Sequence, residues 1–279
     1  MIATPVTREM LLNVVKVLPT APQILARLGQ LLLDMDSGLP EVTELLRRDA
    51  GLTARIIRVA NSSVYNKGLP SSSLEEALGR VGFKEVYRLT GFAAVAQITE
   101  QNLSLYGVSG AQLRENSLLT ALVMETMASA AGVDPRLAYT AGLLRSTGKI
   151  ALDRMLRHDP AAGGFASELT PLAERESGVA GMHNGAAAGT ILAEWHFRDD
   201  MIAGIRDHYL LDESAGQLAQ LLNLAAGEAE RSGYGFPGET GYWDVTPERL
   251  ASSKLSREEL SGATEKACGL FESIRAVVG

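Results

Sequence analysis

Apolar side chains recur along this chain at intervals of three and four, the period of a helix with one buried face. In "TREMLLNVVKVL" they place Met10, Leu11, Val14, Val15 and Leu18 on one stripe, which Pro19 ends. "PQILARLGQLLLDM" follows, with Pro22 at a natural first-turn position. "PEVTELLRR" and "LTARIIRVANSS" predict two short helices hinged at Asp49-Ala50-Gly51. Ser73 and Glu76 form a capping-box pattern before "LEEALGRVG", and residues 84–101 predict another helix. "GVSG" at 107–110 breaks the chain, and the lobe boundary is expected there.

Longer helices are expected beyond it, over about 111–131, 136–157, 183–196, 198–210 and 215–232. "GYGFPGETGYWD" (233–244) is a turn-rich stretch whose aromatics should pin it to the core. A last helix opens on the capping pair Ser256 and Glu259. No segment alternates with the period of a strand, and no internal repeat or low-complexity linker is present. The reading is all-α, a two-lobed multi-helical bundle with lobes at 1–107 and 108–279.

Composition supports helices. Aromatics are only 5% of the 279 residues, so the cores rest on Leu, Ala, Val, Ile and Met. A net charge of −7 makes the chain a poor general binder of nucleic acid or anionic membrane. Cys268 is the single cysteine and forms no internal disulfide, which fits a reducing compartment. No run approaches ~18 uncharged apolar residues and no signal pattern opens the chain, so a cytoplasmic protein is expected.

Residues 41–63 could be read as a helix-turn-helix. Over 41–68, five basic residues (Arg47, Arg48, Arg55, Arg58, Lys67) against three acidic ones leave only +2. That is thin for neutralising several phosphates, and Ile56, Ile57 and Val59 leave little of the second helix free to read bases. An interhelix packing corner is the better reading. The four histidines, His158, His183, His196 and His208, lack the i, i+4 pairing of helical zinc sites. Cys268 has no catalytic His context, and no glycine-rich phosphate loop follows a strand. "AGLLRSTGKI" (141–150) stands out because Arg145 and Ser146 interrupt an apolar helical run.

Several stretches together resemble the HDOD family, the HD-related output domain of bacterial signalling proteins. They are "LPTAPQILARL" (18–28), "LLRRDAGLTARIIRVANSSVY" (45–65), "SSSLEEALGRVGFKEVYRL" (71–89), "AYTAGLLRSTGKIAL" (138–152), "AEWHFRDDMIAGIRDHY" (193–209), "YGFPGE" and "LSREEL". The resemblance covers nearly the full chain. It implies one all-helical HDOD domain whose C-terminal lobe descends from HD-type metal phosphohydrolases. Those enzymes bind a divalent metal through a His, a His-Asp pair and a later Asp, donors suited to a cation that activates water.

Carried over position by position, the set is replaced here. The first His falls at Asn116 and the His-Asp pair at Arg145-Ser146. A further His falls at Asn184, with His183 one residue away, and the last Asp falls at Ala226, with Asn223 nearby. Of the histidine set His208 remains. Arginine is always protonated, so Arg145 would put a fixed charge where a dication binds, a repulsion of several kcal/mol at about 4 Å. The expectation is a non-catalytic signalling or regulatory domain, with no metal and no cofactor. It would act through a protein partner, as in the output half of a response regulator in a two-component system. Residues 100–115 and 233–244 are the candidate contact surfaces, and a homodimer is left open. The alternative is a degenerate phosphohydrolase or a nucleotide module for cyclic dinucleotides, with Arg145, Lys149, Arg206 and His208 holding an anion. The simpler alternative is that Arg145 pairs with a carboxylate or faces solvent.

Overall fold

The computed structural model describes residues 5–278 except 20, 33–37, 63–64, 67, 166–169 and 210–214. Lys67 therefore lies outside the described residues. The helices, in chain order, are α1 (Arg8–Val15), α2 (Ala21–Leu31), α3 (Leu39–Arg47), α4 (Ala50–Ala60), α5 (Leu74–Val81) and α6 (Phe83–Ile98). Then come α7 (Gly110–Ala131), α8 (Pro135–Leu144), α9 (Thr147–Leu156), α10 (Leu172–Ala180) and α11 (Asn184–Glu194). The last are α12 (Asp199–Asp207), α13 (Gln217–Ala229), α14 (Pro247–Ser252) and α15 (Arg257–Val278). Among the described residues there is no strand, only an isolated bridge between Leu103 and Val108. The all-α expectation holds.

The chain divides into two compact units: Met1–Leu18 with Ile98–Cys268, and Pro19–Gln97 with Gly269–Gly279. This is not the expected split at 107. Helix α1 packs on α9 and α11, far along the chain, while the end of α15 belongs with α2–α6. A boundary read from a local glycine break has no access to such long-range packing.

In the first unit α7 is the central element. It packs along α8 and against α13, and residues such as Leu113, Leu119, Leu122, Val123 and Met124 are buried around its circumference. Its start is fixed by a capping box, in which Ser109 Oγ accepts from Gln112 N at 3.2 Å and Gln112 accepts from Ser109 N at 2.9 Å. Helix α11 packs between α9 and α12, and α12 on α13.

Three differences from the expected helices concern the site. Residues 136–157 are two helices, broken at Ser146 (φ −94°, ψ 7°), where the Thr147 hydroxyl donates to the freed Leu144 carbonyl at 2.8 Å. The helix expected to run to 232 ends at Ala229 and passes into a π-turn over Glu230–Tyr234. Helices α10 and α14 lie in segments for which the apolar period predicts no helix. The capping at Ser256 and Glu259 forms as expected, and at the earlier pair Ser73 Oγ accepts from Glu76 N at 3.2 Å while the Glu76 carboxylate accepts from Ser72 N at 2.8 Å.

In the second unit α3, α4 and α5 pack together. Leu52, Ile56 and Val59 of α4 are buried, and Arg47 pairs with Glu75 and Arg48 with Glu44. Within residues 41–62 the apolar face of α4 is turned into this packing, and the exposed Arg47 and Arg48 are each paired with a glutamate. In the first unit, within the candidate contact stretch 100–115, Leu105 and Tyr106 are buried, with Leu105 N donating to Asp153 at 2.8 Å, while Gln101, Ser104, Ala111 and Gln112 are exposed. Among the described residues no helix is long and apolar enough to cross a membrane.

Candidate functional site

Arg145 closes α8 and Lys149 lies in the first turn of α9, so the corner at Ser146 turns both side chains into the first unit. Both are fully buried. A buried guanidinium and a buried ammonium require partners, because neither charge is tolerated alone in a low-dielectric interior. The partner is Glu239, from the turn-rich segment 233–244. Its carboxylate receives Arg145 Nη2 at 3.0 Å and Lys149 Nζ at 2.6 Å. The Tyr209 hydroxyl donates to the same carboxylate and also meets Lys149 and Arg145.

Asn116, in the second turn of α7, completes the arginine's contacts. Its Oδ1 accepts from Arg145 Nη2 at 2.9 Å and Nε at 3.3 Å, and its Nδ2 donates to the Tyr234 carbonyl at 2.6 Å. The Arg145 guanidinium also lies over the rings of Phe236 (5.2 Å) and Trp243 (5.7 Å), and Lys149 over that of Tyr209 (4.7 Å).

A second carboxylate balances the second cation. Glu176 of α10 is fully buried and accepts from Asn184 N at 2.7 Å, Asn184 Nδ2 at 2.9 Å and the Tyr106 hydroxyl at 2.7 Å. It thereby caps α11, and its charge favours protonated Lys149. Two cations and two carboxylates leave this interior formally neutral.

The electrostatics fix the protonation states. Burial pushes the Glu239 carboxyl up, but Arg145 and Lys149 outweigh it and hold the group at about 2. Burial opposes the Arg145 charge, yet Glu239 more than compensates and keeps it raised. Burial lowers Lys149 against the pull of Glu239. His208 is depressed to about 3, first by burial and then by Arg145, so its ring is neutral near pH 7. Its Nδ1 must then carry the proton, donating to the Ile205 carbonyl at 2.7 Å.

The six positions carried over from the metal pattern, Asn116, Arg145, Ser146, Asn184, His208 and Ala226, are all buried in this unit. Ala226 packs with Tyr209 and Trp243 and offers no donor atom. Asn184 is engaged with Glu176. Of the four residues grouped for anion binding, Arg145 and Lys149 meet, and the anion they hold is Glu239. His208 is adjacent but neutral. Arg206 does not join them: it is half exposed and paired with Asp207 at 2.6 Å. The side chains here do not fit a divalent cation, because a guanidinium and an ammonium stand among them and the carboxylate they surround is already paired. Among the described residues no three His, Cys, Asp or Glu side chains group closely enough to hold a metal ion.

Glu239, Tyr209 and Glu176 were not singled out in the sequence. One signal was available. Glu239 is the lone carboxylate within 233–243, set among glycines and aromatics. The segment itself is pinned as expected, with Phe236 and Trp243 buried. Asn223 and Arg249 fasten it further: both donate to the Tyr242 carbonyl at 3.0 Å, and Arg249 donates to Asn223 at 2.9 Å.

Residues 18–211 match the HDOD domain family. The matched stretch contains Asn116, Arg145, Lys149, His208 and Tyr209 and stops short of Ala226 and Glu239. In fold the chain is similar to a Geobacter sulfurreducens HDOD domain protein of unknown function (TM-score 0.68, 19% identity, 97% of this chain and 95% of that one). It is also similar to a candidate phosphohydrolase of Shewanella amazonensis SB2B (TM-score 0.67, 22% identity, 97% and 98%). A candidate signal-transduction protein of Marinobacter aquaeolei VT8 gives a TM-score of 0.67 at 20% identity, over 94% of this chain and 58% of that one. No protein of curated function matches the chain in sequence.

Proposed function

The chain belongs to the HDOD family, and from that premise we propose that it is a non-catalytic regulatory domain of signal transduction, acting through contacts with a protein partner. The fold does not decide this, since similar folds carry names from both hydrolysis and signalling. The observation that carries the reading is the Arg145–Glu239–Lys149 cluster, which fills the interior where the family resemblance implies a metal. Hydrolysis of a phosphoester there would need a bound water activated by a cation with open coordination positions. The side chains supply two cations already committed to a carboxylate.

The same cluster supports segment 233–244 as the contact surface. Phe236, Glu239 and Trp243 point inward, and Pro237, Thr240, Gly241 and Asp244 are exposed between them. As the output half of a response regulator, the domain would present this rim to its partner.

The test is elemental analysis of the purified protein together with a phosphodiester hydrolysis assay in added manganese or iron. No stoichiometric transition metal and no turnover above background are expected. About one transition metal per chain, with hydrolysis lost on chelation, would overturn the reading.

A further inference from the structure

The groups meeting at the cluster come from two sources. Arg145, Lys149 and Tyr209 stand at the ends of α8, α9 and α12, which form the helical body of the unit. The carboxylate reaches in from 235–244, a segment whose only regular structure is a single 3-10 turn, Thr240–Tyr242. A guanidinium fork beside an ammonium and a hydroxyl is the arrangement proteins offer to free carboxylates and phosphates. Here a side chain of the same chain takes that place.

The seam between segment and helices is incompletely satisfied. His208 Nε2 on the helix side and Trp243 Nε1 on the segment side, whose rings stack with centroids 6.1 Å apart, are buried without a hydrogen-bond partner among the described residues. The chain also enters and bends within the segment at glycines in the left-handed region, Gly233 (φ +90°) and Gly238 (φ +80°).

We propose that segment 235–244 is a tethered ligand: Glu239 occupies an anion site that accepts a small phosphate or carboxylate from solution, and that anion releases the segment. The proposal rests on reading this site as non-catalytic and deepens it into a regulation. Binding at Arg145 and Lys149 would withdraw the rim of Pro237, Thr240 and Asp244 from a partner.

The experiment uses the full chain and its Glu239→Gln variant. Inorganic phosphate and acetate are titrated separately at constant ionic strength set with chloride. Thermal midpoint and hydrogen exchange of the 236–244 amides are read. A tethered carboxylate competes at an effective concentration of about millimolar, so removing its charge should tighten anion binding about ten-fold or more. The response should saturate and should vanish in Arg145→Met/Glu239→Gln. The stronger of the two arms identifies phosphate or carboxylate as the ligand chemistry. In the unaltered protein, phosphate should speed exchange at 236–244 and leave α7 unchanged.

If Glu239→Gln does not fold, this exchange measurement decides alone, and no change at about 100 mM phosphate, well above that effective concentration, overturns the proposal. Metal-free protein that ignores both anions also overturns it and leaves the non-catalytic reading standing. A response that requires a bound transition metal overturns both.

Discussion

Removing Arg145 would leave Glu239 with Lys149 as its one charged partner and Asn116 Oδ1 with no donor from the arginine. Breaking a buried pair from one side typically costs about 3–5 kcal/mol, so Arg145→Met should lower unfolding stability by that amount. In urea melts, Arg145→Met/Glu239→Gln should cost less than the two single changes added together, by about 0.5–3 kcal/mol, because each single variant strands the other's charge. His208 makes the same interior sensitive to acid. Its folded value of about 3 lies below the 6.5 of an ordinary histidine, so its stabilisation is complete above pH 6.5 and lost as pH falls toward 3. Over that window the unfolded chain binds the extra proton, and stability should drop by up to about 1.4 kcal/mol per pH unit. Glu239, held at about 2, adds a loss of the same sign below pH 4.5. His208→Phe keeps an aromatic ring between Tyr209 and Trp243, and stability measured from pH 7 to 5 should flatten in that variant.

Between elements, the tightest constraint is where α9 begins against α11. A Cβ on Gly148 would stand 1.8 Å from the Asn184 carbonyl oxygen, backbone that cannot step aside without moving the helix carrying Glu176's hydrogen-bond partner. Gly148→Ala should therefore cost more than the 1–3 kcal/mol usual for overpacking, with loss of the native thermal transition as the extreme outcome. Gly262, exposed in α15 with nothing within 4 Å of its Cβ position, is the control. Gly262→Ala should raise stability by about 0.4–1 kcal/mol in the same melts.

This contrast also shows how far the sequence could be read. Helices with one apolar stripe, such as α1 and α4, were legible because burial on one side leaves a period. Helices α10 and α14 were not: each is short and opens beside a proline, Pro171 or Pro247, which reads locally as a turn. The break at Ser146 was hidden because "AGLLRSTGKI" is made largely of residues a helix accepts. The corner is set by the tertiary requirement to bury Arg145 and Lys149. The six carried-over positions came from family resemblance, whereas Glu239, 94 residues from Arg145, could be paired with it only in three dimensions.

At the scale of the molecule, the chain returns to the second unit at its end, where Phe271 and Ile274 are buried. Phe271→Ala should cost about 3–5 kcal/mol of that unit's stability. Hydrogen exchange would locate the effect: faster exchange in α3–α5 with α7–α13 unchanged is expected if the units open separately. The first unit has a different economy. Its organising cations, Arg145 and Lys149, are part of the polypeptide, so the cluster is complete as soon as the chain has folded. A site built round a captured ion depends on supply, and a cell short of iron or manganese holds a mixture of filled and empty copies. On the proposed reading every copy is made with its charges aboard, and the state of this cluster would not follow the availability of a metal.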